Sequence, residues 1–343
     1  MNFAQYEKKF RLKALKSGFS EDNIVACLNY AKPILEKGLP VIYNTANLAA
    51  LVGYRTTYLK RAAKFTKFYY RSFTIKKSNG KLRTLMEPLP SLKEIQTWIL
   101  ENMLSEIPVS KFAKAYVKHR SLKENVKHHN NKEGVLTCDI ATFYDSVRFK
   151  DIEKIFNELG YSEVMSNLLA KLTTFNGSLP QGAPTSPYLS NLVLREFDQK
   201  ISDYCINNNI RYTRYADDLT FSGEVKSLKL KNLVEAELNK LGLELNPDKT
   251  KLRKFSQRQM VTGIVVNEKT QIPKFERNFI RNEVHFLTRF GLKDHLRKTK
   301  NKRENYLLHL LGKINFALHI NPADKKMESY RSQVQKIIQT DAG

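Results

Sequence analysis

Cysteine is scarce in this chain: Cys27, Cys138 and Cys205 are the only three in 343 residues. Their wide spacing makes neither a disulfide framework nor a zinc-type cluster. Cys138 sits in an apolar run and Cys205 on the apolar face of a predicted helix, so both read as core. A reducing, cytoplasmic setting is the expectation. Long apolar runs are missing too. None approaches the ~20 residues that a spanning helix needs, so no membrane role is expected. The stretch Met1 to Ser20 is basic and lacks a secretory apolar core. No repeat or low-complexity tract appears, and a composition 41% hydrophobic and 27% charged is that of a folded globular protein. Acid is in deficit: 34 Asp and Glu face 58 Lys and Arg, a net charge of +24. Such an excess concentrates polyanions at the surface, with nucleic acid the first candidate; a solubility surface or attraction to anionic lipid are the alternatives.

At this length the chain can bury one sizeable core, or two modest ones sharing an interface. Up to about residue 130 the pattern is mostly helical, with one hairpin: Phe73 to Lys77, a turn at Ser78-Asn79-Gly80, then Lys81 to Leu85. Val135-Leu-Thr-Cys-Asp139 is a short apolar run ending in an acid, most simply a buried strand. Helical stretches follow at roughly 150–160 and 162–174, then a polar loop from Gly177 to Ser186. Ser186-Pro187 marks a helix start with Ser186 as N-cap, and Leu189 to Cys205 continue at helical spacing. Ile210 to Ala216 and Leu219 to Ser222 flank Asp217-Asp218 as a hairpin with the acids at its tip. Leu230 to Leu241 form an amphipathic helix stopped by Gly242, and Asn246-Pro247-Asp248 turns the chain into a last strand from Lys249. The order is β-α-β-β-α-β with extra helices after the first strand, an α+β layout that sets that strand beside the hairpin. A second hairpin, Met260 to Ile272, and basic helices complete the chain, with Lys293, Arg297, Lys298, Lys300, Lys302 and Arg303 as its densest positive stretch.

Tyr215-Ala216-Asp217-Asp218 is the sharpest feature. Adjacent carboxylates at a turn repel one another and add little to a core, whereas a divalent cation favours them because Mg²⁺ prefers hard oxygen ligands. The bland alternative is a surface turn, where Asp is common. Asp139 supplies a third carboxylate, enough to bridge two metals ~4 Å apart for in-line phosphoryl transfer.

Taken in order, these motifs resemble those of reverse transcriptases, and more narrowly the bacterial retron-type enzymes, over roughly residues 50 to 270. Tyr215-Ala-Asp-Asp is similar to the family's Tyr-x-Asp-Asp, Asp139 to Tyr144 to its Asp-x-x-x-x-aromatic motif, and Leu179 to Pro187 to a loop shared by retron and group II intron enzymes. The resemblance implies a right-hand polymerase fold. Residues 1–134 would be N-terminal helices and fingers, 135–255 a palm with a fingers insertion at about 146–185, and 256–343 a palm-edge hairpin and basic thumb. It implies Asp139, Asp217, Asp218 and the carbonyl of Ile140 as Mg²⁺ ligands, two ions in all, with Mn²⁺ able to substitute. Tyr144 would lie beneath the incoming sugar and exclude a 2′-hydroxyl. Gln181 and Gly182 would touch the nucleotide, and Lys81 and Arg83 grip its triphosphate, the alternative being simple hairpin-surface charges. Lys249 would protonate pyrophosphate.

Val261-Thr262-Gly263 resembles a retron Val-Thr-Gly motif, and Asn125 to His129 its Asn-Ala-x-x-His segment, with Val126 in place of alanine. Both would bind RNA, with Arg297 and Lys298 joining them; a lone His129 would otherwise be a surface histidine. The implied partners are a dedicated structured noncoding RNA as template and primer, deoxynucleotides, an RNA–DNA hybrid product and an effector protein in antiphage defence. Past residue 270 no paired cysteines or histidines suggest a nuclease finger, and the remainder is short for a ribonuclease H or integrase domain. The alternatives are a group II intron-like or diversity-generating reverse transcriptase, or an RNA-binding module without polymerase activity.

Overall fold

A computed structural model describes residues 2–76, 80 and 82–341. Helices α1 (Phe3–Lys16), α2 (Glu21–Glu36), α3 (Thr45–Val52) and α4 (Thr56–Lys64) open the chain. Local chemistry starts three of them: Asn2, Ser20 and Asn44 each accept the backbone N–H three residues on. The predicted hairpin follows as β1 (Tyr70–Lys76) and β2 (Leu82–Pro88), in register from Tyr70↔Pro88 to Lys76↔Leu82. Its expected turn residues Ser78 and Asn79 lie outside the described residues, as does Lys81. Next come α5 (Pro90–Ile99), continued by a π-helical turn over Leu100–Leu104, and α6 (Leu122–Lys127).

Strand β3 (Gly134–Asp139) leads to α7 (Phe143–Ser146), α8 (Phe149–Glu158), α9 (Glu163–Thr173), α10 (Ser186–Val193) and α11 (Arg195–Asn207). The hairpin β4 (Arg211–Tyr215) and β5 (Asp218–Gly223), helix α12 (Ser227–Asn239), a 3₁₀ turn over Pro247–Lys249 and β6 (Lys251–Lys254) complete the predicted order. The sheet runs β4-β5-β3-β6 with every neighbour antiparallel. Val135, Leu136 and Cys138 are buried, which is what a run apolar on both faces requires at the centre of a covered sheet. Short strands β7 (Met260–Val261) and β8 (Ile264–Val265) precede α13 (Lys274–Thr299), α14 (Tyr306–Ile320) and α15 (Lys325–Asp341). Helix α13 is broken at Gly291, whose φ of 76° and ψ of 170° are not helical. No described helix is long and apolar enough to cross a membrane.

Four expectations need correction. Ser186 is the first helical residue of α10, not its N-cap: Thr185 already has helical angles, φ −79° and ψ −28°, and makes no side-chain cap bond. Pro187 falls at the second helical position, where its missing N–H still costs nothing. The single helix expected from Ser186 to Cys205 is two, parted at Leu194. Helix α12 stops at Asn239, and Gly242 at φ +67° lets Leu243 N–H return to the carbonyl of Leu238 at 3.1 Å. The hairpin expected over 260–272 is far shorter. Thr262 at φ +44° and Gly263 at φ +85° reverse the chain at once, as a two-residue turn with both angles positive does.

The chain forms two compact units that alternate along the sequence. One comprises Met1–Lys118, Ile140–Asp203 and Lys231–Asn246; the other comprises His119–Asp139, Tyr204–Leu230 and Pro247–Gly343. The first has its own amino-terminal cluster of Ala14, Ile24 and Leu28, with Phe3, Tyr6 and Phe10 packed against it. In the second, one core joins Val126 and Val135 to the β7–β8 hairpin and to the inner faces of α13, α14 and α15.

Candidate active site

The second unit holds the carboxylates. Register pairs Asp139, the last residue of β3, with Asp218, the first of β5. Tyr215 also pairs with Asp218, so the β4–β5 hairpin closes through a two-residue turn, Ala216-Asp217. Ala216 sits at φ +59° and is buried, an uncommon conformation for a residue with a Cβ. Strain of this kind persists only where surroundings over-determine it. Part of that surrounding is Arg214, a fully buried side chain whose Nη1 donates to the Ala216 carbonyl at 3.1 Å.

One oxygen from each of Asp139, Asp217 and Asp218 lies within 4.8 Å of the others. Burial pushes the Asp218 carboxyl up to about 7, and the charges of Asp217 and Asp139 add to the rise while Lys249 opposes it. Lys249, on the 3₁₀ turn before β6, donates to Asp139 Oδ2 at 2.7 Å. Desolvation pulls its pKa down, but the hydrogen bond to Asp139 and the three carboxylate charges outweigh this, so the net shift is upward. Three hard oxygen donors with more negative charge than one ammonium balances fit a divalent cation. A cavity of about 310 Å³ opens beside them, lined by Asp139, Asp218, Lys249, Lys251, Arg253 and Thr262 among others.

The other proposed ligands and nucleotide contacts belong to the first unit. Ile140 is buried and bridges to Leu245. Tyr144 is half-buried on α7 with its ring 5.3 Å from that of Phe143. Arg83 is exposed on β2, opposite Ile75. Gln181 accepts the Met86 N–H at 2.8 Å, which ties its loop to the β1–β2 hairpin. Gly182 has φ +128°, and a Cβ there would meet the Met86 carbonyl oxygen at 3.0 Å. Here the close backbone approach that needs glycine is to β2.

Asn125, within α6, and His129, two residues beyond its end, are fully buried. The expected surface histidine is therefore a core one. His129 bonds Ser222 Oγ at 2.7 Å and Thr213 Oγ1 at 2.8 Å, and Asn125 bonds Thr213 and Thr262. Val126, which stands where the motif has alanine, is buried in the core of this unit. Val261 is buried beneath the turn formed by Thr262 and Gly263. Arg297 pairs with Asp294 at 3.0 Å, and Lys298 Nζ lies 5.9 Å from the centre of the Phe290 ring, at a cavity of about 490 Å³ by the break in α13.

Sequence reasoning missed Arg214, Thr213 and Ser222. A trace of Arg214 was legible: strand alternation sets it on the same face as Ile210 and Tyr212, and an arginine among apolar residues signals a structural charge.

Residues 75–301 match the family described as reverse transcriptase (RNA-dependent DNA polymerase). The chain is 29% identical over 305 residues to the retron Ec86 reverse transcriptase of Escherichia coli, covering 87% of this chain and 92% of that protein. It is 34% identical to the retron Mx162 reverse transcriptase of Myxococcus xanthus, over 59% of this chain and 48% of that longer relative. To the retron Mx65 reverse transcriptase of the same organism it is 30% identical, over 83% of this chain and 70% of that protein. A family span that runs through all three carboxylates, and relatives that agree across most of the length, mean that this chain belongs to the reverse transcriptases, RNA-directed DNA polymerases of right-hand fold, and among them to the retron type.

Proposed function

We propose that this reverse transcriptase copies part of a dedicated, structured noncoding RNA into single-stranded DNA, primed from a 2′-hydroxyl of that RNA, and serves antiphage defence together with an effector protein. The observation that carries the chemistry is the gathering of Asp139, Asp217 and Asp218 within 4.8 Å. Two Mg²⁺ ions, or Mn²⁺ in their place, held by these three and the Ile140 carbonyl, would stabilise the attacking and leaving oxygens of in-line nucleotidyl transfer.

The chain's own groups supply the rest. Lys249, whose hydrogen bond to Asp139 supports its charged form, would pass a proton to departing pyrophosphate. Tyr144 acts as the ring that rejects a ribose 2′-hydroxyl. Arg83, with Lys81, grips the triphosphate, since a planar guanidinium matches phosphate oxygens. Gln181 and Gly182, anchored to β2, border the nucleotide. Arg297 and Lys298 contact RNA from the thumb. In this reading residues 1–134 supply helices and fingers, 135–255 the palm with its insertion, and 256–343 the palm edge and thumb.

Primer extension on an RNA template with Mg²⁺ tests the core of the proposal. Wild type should extend with deoxynucleotides and not ribonucleotides, and Asp217→Ala should lower the rate by about a thousandfold, the effect of losing several kcal/mol of transition-state stabilisation. Robust ribonucleotide use would remove Tyr144 from its role. Failure even with the cognate RNA would favour an RNA-binding module. The defence role predicts that deleting the gene with its RNA raises phage plating; unchanged plating across a broad panel would refute it.

A further inference from the structure

Helix α7 is a single turn, and it carries Tyr144. One i→i−4 bond defines it, from Ser146 N–H to the Thr142 carbonyl at 3.0 Å. A helix that short does not support itself in water. The chain is anchored on either side. Before the turn, Ala141 N–H donates to the Glu244 carbonyl at 2.8 Å; after it, Leu179 N–H donates to the Val147 carbonyl at 3.1 Å. Between those anchors the direction of α7 is set at Thr142.

Thr142 has φ +43° and ψ +39°, in the left-handed region. A β-branched residue is a true outlier there, where glycine or asparagine is the ordinary choice. Burial does not enforce it, because Thr142 is exposed and Ser146 half-buried. The side chains supply the reason. Ser146 Oγ lies 3.1 Å from the Thr142 carbonyl oxygen, which can only accept, so the serine hydrogen is committed to that bond. The 3.0 Å contact between the two hydroxyls therefore runs from Thr142 Oγ1 to Ser146 Oγ. Ser146 thus clasps Thr142 by its backbone and by its side chain, and Thr142 answers with its own hydroxyl. Glycine would relieve the backbone and lose that last bond.

Strain retained by hydrogen bonds on an exposed turn points to a position that matters for function. We propose that Thr142 and Ser146 are specificity-determining positioning residues: their clasp fixes the bearing of α7, and so sets how closely the Tyr144 ring approaches the sugar of the incoming nucleotide. The inference rests on the reading of Tyr144 as the ring that rejects a ribose 2′-hydroxyl. Phe143, buried on the same turn with its ring 5.3 Å from that of Tyr144, backs the gate from inside. Selection by contact needs such a group held to within about 0.5 Å, which an unclasped four-residue turn would not do.

The test is primer extension by the full chain on its cognate RNA, measuring kcat/KM for a deoxynucleotide and for the matching ribonucleotide. Thr142→Gly and Ser146→Ala should each raise kcat/KM for the ribonucleotide about tenfold, chiefly through KM, the effect of about one lost hydrogen bond. Use of the deoxynucleotide should change little. Thr142→Ser, which keeps the hydroxyl, should keep wild-type selectivity. With Tyr144→Ala already in place, neither variant should add further ribonucleotide use. A merely structural role would lower the melting temperature and the use of both nucleotides alike. That result, or wild-type selectivity in both Thr142→Gly and Ser146→Ala while Tyr144→Ala loses it, would overturn the inference and leave the gate standing. Selectivity retained in Tyr144→Ala would instead remove the gate itself, and the inference with it.

Discussion

Burial decides what His129 can do. Its surroundings push the imidazole down to about 3, by desolvation first and then by the nearby charges of His128 and Lys132. It is therefore neutral wherever the protein is folded, as its two hydroxyl partners require. The depressed value makes stability depend on pH in a definite sense. The unfolded chain protonates its histidine near ~6.5, so the stabilising contribution is complete above that pH. It is lost progressively as pH falls from there toward the folded value, by about 2 kcal/mol between pH 6.5 and 5. Urea unfolding of wild type and His129→Gln at several pH values should show this extra slope in wild type only. The three aspartates were legible in the sequence because each ends or turns a strand of recognisable pattern. The burial of His129 was not, since α6 has six residues and no apolar period long enough to mark an inner face.

Strands were read more faithfully than helix ends. An Asn-Gly pair between alternating runs announced β1 and β2, and an apolar run closed by an acid announced β3. The break at Leu194 left no trace, because the spacing of buried residues continues through it. Nor could spacing show that Thr185 enters the helical region before Ser186; that depends on how a buried loop packs. The tip of β4–β5 carries its own consequence. Arg214 holds the carbonyl of Ala216, and Ala216 holds a positive φ beside Asp217. Replacing Arg214 with Leu leaves that buried carbonyl without this donor, a loss of about 1–3 kcal/mol. The expected outcome is a lower unfolding midpoint together with slower primer extension, since the turn would relax away from the geometry that gathers the carboxylates. Unchanged extension at a lowered midpoint would separate the brace from the site.

A net charge of +24 on a polymerase of nucleic acid makes its affinity a function of salt. With about six phosphate contacts, binding to RNA should weaken about a thousandfold as salt rises from about 50 to about 200 mM. Titrations at graded ionic strength give the slope directly, and a flat response would mean that the basic surface serves something other than phosphate. Composition made this legible at the outset. It could not reveal that the two compact units interleave, because the division depends on contacts between residues far apart in the chain.

That interleaving bears on how the protein is made. Strand β3 leaves the ribosome early, apolar on both faces, yet its neighbours β5 and β6 emerge only after five helices and a hairpin strand have been synthesised. Throughout that interval a nascent chain carries an unpaired, sticky strand. The last neighbour to arrive, β6, follows directly on the turn that bears Lys249, so the closing of the sheet and the arrival of the lysine beside Asp139 are one late event of biogenesis.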